Sequence, residues 1–131
     1  MKKIIILLVM SIATIGLFAQ KNKVEVLYFK AQLSCCKAAS CNKIENEIKD
    51  IIKKNFEGKA VGFKQVLLSD QANKALIEKY NAKSQTVILV SKKKKKETFA
   101  DLSDIVQKYS NSKDKATFEK EIINRINEKL K

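Results

Sequence analysis

Two apolar runs of strand length do most to limit how this chain can fold. "KVEVLYF" (Lys23 to Phe29) is rich in Val, Leu, Tyr and Phe and reads as a strand. "TVILV" (Thr86 to Val90) is a continuous apolar run, the pattern of a strand buried on both faces. A third strand is expected over roughly Val61 to Leu68, and "KETFA" (Lys96 to Ala100) supplies a short antiparallel partner after the lysines. Helical periodicity fills the intervals. Cys41, Ile44, Ile48, Ile51 and Ile52 recur at spacings of three and four as far as Phe56, with Gly58 as a stop signal. Ala72, Leu76 and Tyr80 form a second stripe behind a cap at Ser69 or Asp70. Leu102, Ile105, Val106 and Tyr109 make a third, and Phe118, Ile122, Ile126 and Leu130 a fourth. The order β-α-β-α-β-β-α-α predicts an α/β domain with a small mixed four-stranded sheet flanked by helices. Alternating strands and helices imply right-handed parallel crossovers, with Val24–Phe29 and Thr86–Val90 as parallel neighbours and a closing hairpin.

The first twenty residues read differently. Lys2 and Lys3 precede a run, Ile4 to Ala19, that is apolar apart from Ser11, Thr14 and Gly16. This is the pattern of a secretory leader, 1–20, followed by one domain, 21–131. The run is short for a bilayer span, which needs about 20 apolar residues, so no stable membrane insertion is expected after cleavage. The expected location is periplasmic or extracellular. About 110 residues remain, enough for one core.

The net charge is +13, which favours anionic surroundings and opposes self-association. Lys92 to Lys96 are five consecutive lysines. They read as a solvated turn between two strands, where lysine also discourages edge-to-edge pairing, in preference to a patch for phosphates or acidic lipid. No aromatic residues interleave with them, and nucleic acid is not an expected partner.

All three cysteines, Cys35, Cys36 and Cys41, lie within "LSCCKAASCNKI". They end an apolar strand and begin an amphipathic helix. A helix N-terminus offers free N–H groups and a positive dipole end, which stabilise a thiolate, and Lys30 and Lys37 add cationic charge. Cys41 shares a face with Ile44 and Ile48 and is expected to be the buried, resolving thiol. Cys35 or Cys36 is then the exposed attacking one. Residues five apart in a helix are separated by about 7.5 Å in rise alone, beyond the roughly 7 Å limit on Cα separation in a disulfide. A Cys36–Cys41 bridge therefore requires the helix to begin late, with Ser40 as N-cap. A Cys35–Cys36 bridge closes a small, strained ring that is easily reduced.

"VEVLYF", "CNKIENEI" and "VLLSDQANKALIEKYNAKSQTVILV", with the two closing helices, resemble the small exported thioredoxin-fold proteins of the ArsF family. That resemblance implies a thioredoxin-like fold and a C-x-x-C motif whose second cysteine falls on Cys41. The first falls on Ala38, or on Cys35 or Cys36 if the loop is longer here. It also implies a substrate-docking loop at Gln85 and Thr86, where such enzymes carry a cis-proline. This chain has no proline. A non-proline cis bond costs about 3 kcal/mol, which favours a trans loop.

Three readings follow. The favoured one is thiol–disulfide exchange through Cys35, Cys36 and Cys41 with a protein redox partner and no cofactor. The second is a thiolate module holding Cu(I), zinc or trivalent arsenic, since the chain has no histidine and cysteine is its main soft donor. The third is a non-catalytic scaffold. Lack of histidine removes Ser-His-Asp and Cys-His catalysis. Three glycines, none in a G-x-G-x-x-G or P-loop pattern, leave no nucleotide cradle. "DLSD" (Asp101 to Asp104) reads as the cap of the helix holding Leu102 and Ile105.

Overall fold

Strand β1, Val24–Lys30, alternates its side chains between two covered faces, which is why nearly all of its residues are apolar. Val24, Val26 and Tyr28 enter one core, and Leu27 and Phe29 enter a second on the opposite side of the sheet. The computed structural model describes residues 23–32 and 36–131; the expected leader, 1–20, and Cys35 fall outside them. Helix α1, Cys36–Phe56, carries the chain over the sheet to β2, Val61–Leu67, which pairs parallel with β1 from Val24↔Val61 to Lys30↔Leu67. Gly58 follows α1 with φ +73, a left-handed conformation that favours glycine and ends the helix.

The route from β2 to β3, Val87–Lys93, runs through residues 68–86. Asp70 accepts a hydrogen bond from Ala72 N at 2.9 Å and caps a single 3-10 turn, Gln71–Asn73, which leads into α2, Lys74–Lys79. β3 lies beside β1, but antiparallel to it, with Val24↔Ser91 and Tyr28↔Val87 in register. The parallel pairing expected for these two strands is therefore incorrect. Both ends of the connection are tied to the C-terminal end of β1, with Leu68 N donating to Lys30 O and Gln85 N to Phe29 O, so β3 starts at the end of the sheet where β2 stops.

β4, Lys96–Asp101, completes the expected hairpin, with Lys93↔Lys96 nearest the turn and Ile88↔Asp101 at its base. The sheet order is β2-β1-β3-β4. Helices α3, Ser103–Ser112, and α4, Lys115–Leu130, follow. Together with α1 they cover the face bearing Val24, Val26, Val87 and Leu89, where Leu102, Ile105, Tyr109, Phe118, Ile122 and Ile126 are all buried. α2 covers the other face, packing Leu76, Ile77 and Tyr80 over Leu27, Phe29, Val66 and Ile88. Asp101 Oδ1 accepts from Ser103 N at 2.8 Å at the start of α3, so "DLSD" does serve a helix start. Among the described residues no helix is long and apolar enough to cross a membrane.

Candidate functional site

The C-terminal end of β1, the first turns of α1 and the loop before β3 converge on one side chain, Cys41. Its apolar helical face buries it, leaving 1% of its surface exposed. The loop that reaches it is fixed by backbone bonds to β1. Gln85 N donates to Phe29 O at 2.9 Å, and Phe29 N donates to Thr86 O at 2.9 Å. Thr86 holds the turn from inside: its Oγ1 accepts from Lys83 N at 2.9 Å and its N donates to Lys83 O at 3.1 Å. Gln85 is thereby kept at φ +68, and its amide Nε2 donates to Cys41 Sγ at 3.3 Å. Ser84 Oγ lies 3.8 Å from the same sulfur. There is no cis peptide bond among the described residues, so the Gln85–Thr86 bond is trans.

Two buried polar groups lie under the thiol. The Tyr28 hydroxyl donates to the Cys41 carbonyl at 3.0 Å. Burial, with Cys41 and Glu45 as near neighbours, pushes this phenol well above its ordinary pKa and keeps it a neutral donor. One helical turn beyond Cys41 is Glu45, a carboxylate on the core side of α1 with only 4% of its surface exposed. Lys30 Nζ donates to it at 2.8 Å, Lys49 Nζ at 2.6 Å and Gln65 Nε2 at 3.0 Å. Burial works against the charge, but the bonds from Lys30, Lys49 and Gln65 outweigh it and hold the carboxyl below its usual pKa.

The sequence reading did not anticipate Glu45 as a buried charge, although a signal was present. Cys41, Glu45, Ile48 and Ile52 follow one another at helical spacing, so an acid interrupts an otherwise apolar stripe. Lys49 is its neighbour one turn on along α1, but Lys30 and Gln65 come from β1 and β2, which no local pattern connects to it. Lys30 also proves to have a different role. It pairs with Glu45 rather than standing as an unengaged cation beside the thiols. Ser84 was missed too; only its position before Gln85 marks it.

The sequence-predicted residues separate as follows. Cys41, Gln85 and Thr86 are brought together. Cys36 opens α1, so Ser40 lies inside the helix and is not its N-cap. The late helix start required for a Cys36–Cys41 bridge is absent: both are helical and about 7.5 Å apart in rise. Cys35 and the side chains of Cys36 and Lys37 lie outside the described residues. Among the described residues no three His, Cys, Asp or Glu side chains cluster as a metal site.

No protein-family model and no curated protein matches the chain. Two solved structures do. One is a malarial protein, 29% identical, with TM-score 0.41, covering 61% of this chain and 81% of its own. The other is an uncharacterized thioredoxin-like protein from Clostridium perfringens, 19% identical, with TM-score 0.44 and 63% of this chain covered; this chain spans 61% of that protein. The β2-β1-β3-β4 order, with one parallel pair and two antiparallel pairs under flanking helices, makes the domain thioredoxin-like.

Proposed function

We propose that the protein is an exported thioredoxin-like protein that exchanges disulfides with a protein partner, using Cys35 or Cys36 to attack and Cys41 to resolve. The observation that carries this reading is the seat of Cys41, a buried thiol in the second turn of α1 with the pre-β3 loop bonded over its sulfur. A buried cysteine serving only to fill space needs no amide donor. The likeness to the ArsF family rests on the sequence segments quoted above alone.

In the proposed step the thiolate of Cys35 or Cys36 attacks the partner's disulfide, forming a mixed disulfide and releasing one partner thiolate. Cys41 then loses its proton to solvent and attacks the mixed disulfide, releasing the second partner thiolate. The partner gains two electrons, and the protein is left with a disulfide to Cys41. If Cys36 is the first thiol, the opening turn of α1 must unwind for closure, because the helical spacing exceeds disulfide geometry. Helix ends open at little cost, so this places the flexibility where the chemistry needs it.

The test is exchange with oxidised glutathione followed by acid trapping and mass measurement. Wild type should cycle through a mixed disulfide to an internal one. Cys41→Ser should accumulate the mixed disulfide, and Cys35→Ser/Cys36→Ser should abolish exchange while melting like wild type. Failure of the wild-type protein to exchange at all would refute the reading.

A further inference from the structure

The β3–β4 turn is exposed, as the lysine run suggests, but edge protection does not account for its form. Of Lys92 to Lys96, only Lys96 lies on the edge strand β4; Lys92 and Lys93 belong to β3, just past Ser91, where its register with β1 ends. Lys94 and Lys95 form the turn itself, at φ +42 and +70. Two-residue turns of this kind favour Asn-Gly, because a side chain held left-handed is strained. Lys93 and Lys96 are also placed directly opposite each other, a repulsive pairing.

Charge on this ribbon is segregated by face. On one side Glu97 takes Lys79 and, at 3.9 Å, Lys92. On the other, the last turn of α4 is tied down over the hairpin. Ser91 Oγ donates to Lys129 O at 3.2 Å, and Lys129 Nζ reaches Thr98 Oγ1 at 3.5 Å. The result is a groove of about 530 Å³ bounded by Lys93, Lys94, Lys96 and Lys129, with the Ser91 and Thr98 hydroxyls beside them. Its acid is Glu128, which is exposed and 4.0 Å from Arg125. Among the described residues none of the four lysines has an acidic partner within 4.0 Å. Lys59 and Lys131 line the adjoining cleft, which also shares Glu128.

This basic end is also where the chain enters the sheet. Lys23 N bonds Ala60 O, and Lys92 N bonds Lys23 O, so Lys23 lies between the hairpin and the α1–β2 connection. Only Gln20, Lys21 and Asn22 separate it in sequence from Ala19, the last residue of the apolar run. Four residue steps span at most about 14 Å. Before cleavage, a membrane holding that run would lie within reach of the lysines, and the Cys41 site, at the opposite end of β1, would face away.

We propose that the Lys93–Lys94–Lys96–Lys129 groove docks on an anionic membrane surface, with lipid phosphates as its ligands. Lysines act as point charges and suit a diffuse array of headgroups, whereas planar, bidentate phosphate recognition favours arginine, which this groove lacks. Neutralising four lysines near such a surface should change partition on the order of 10³-fold, and the effect should fall with salt.

The experiment sediments the full chain with vesicles of phosphatidylcholine alone and with vesicles that also carry phosphatidylglycerol. Any pull from the apolar leader is common to both, so the preference for anionic vesicles isolates the lysines. Wild type should prefer anionic vesicles, and high salt should remove the preference. Lys93→Ser/Lys94→Ser/Lys96→Ser/Lys129→Ser should lose most of it, while Lys43→Ser/Lys53→Ser/Lys64→Ser/Lys120→Ser, with the same charge change, should retain it. A second variant guards against misfolding: Lys94→Asn/Lys95→Gly suits the turn better and should melt higher while preferring anionic vesicles less. Equal partition of wild type to both vesicles would overturn the proposal. So would equal losses in the two fourfold variants, undiminished preference in the turn variant, or retention by duplex DNA without any vesicle preference.

Discussion

Glu45 is the residue whose removal the fold should feel most among its charged groups. Deleting its carboxylate leaves Lys30, itself largely covered, without its partner, so Glu45→Ala should cost about 3 kcal/mol in urea unfolding. The pH dependence has a definite sign. A carboxyl held below its unfolded value of 4.5 stabilises the fold above that pH and loses this contribution as pH falls through the folded value. Urea midpoints of wild type should therefore drop on acidification below about pH 4.5, and Glu45→Gln should flatten that limb. Gln85 offers a cleaner separation of strain from chemistry. Gln85→Gly removes the amide from Cys41 and relieves a left-handed side chain, so it should melt at least as high as wild type. If the thiol exchange proposed above operates, release of the mixed disulfide in this variant should slow by roughly fivefold, the worth of about one hydrogen bond. An unchanged rate would make the Gln85 contact structural only.

At the scale of elements, α1 and α2 decide what the site can do. α1 begins at Cys36, so an internal disulfide between Cys36 and Cys41 is incompatible with its intact first turn. Oxidised protein should lose amide-exchange protection over residues 40–43, whose N–H groups bond the carbonyls of the first turn, while keeping it from Ile44 to Phe56, whose apolar side chains are buried. Protection unchanged on oxidation would assign the bridge to Cys35 instead. The connection carrying α2 is bonded at both ends to the C-terminal end of β1, so β3 returns antiparallel, which brings Ser84, Gln85 and Thr86 to the same end of the sheet as Cys41. The six-residue helix was visible as a brief stripe, yet strand direction depends on the whole connection, and the alternation rule alone gave the wrong sense.

The Cys41 site and the lysine groove lie at opposite ends of one sheet, with α4 as the cover that makes the larger core complete. Ile122 is fully buried in that core, and Ile122→Ala should cost about 3 kcal/mol with an unchanged urea slope. Its exchange rate in the glutathione assay should match wild type, since it lies outside the Cys41 site. Most of this plan was already set by residue order. Continuous apolar runs required strands covered on both faces, and spacings of three and four required amphipathic helices, so Cys41, Ile44, Ile48, Phe118, Ile122 and Ile126 were readable as core from periodicity alone. These are local signals, because backbone geometry repeats within a few residues. What the tertiary structure alone decided was non-local. It set the direction of β3, the donors from β1 and β2 that help Glu45 stay charged in the core, and the folding of Gln85 onto a sulfur 44 residues away in sequence. It also gathered lysines from the hairpin and α4 beside the point where the chain enters the sheet. Those contacts depend on where whole elements come to rest against one another, and a linear pattern carries no record of that distance.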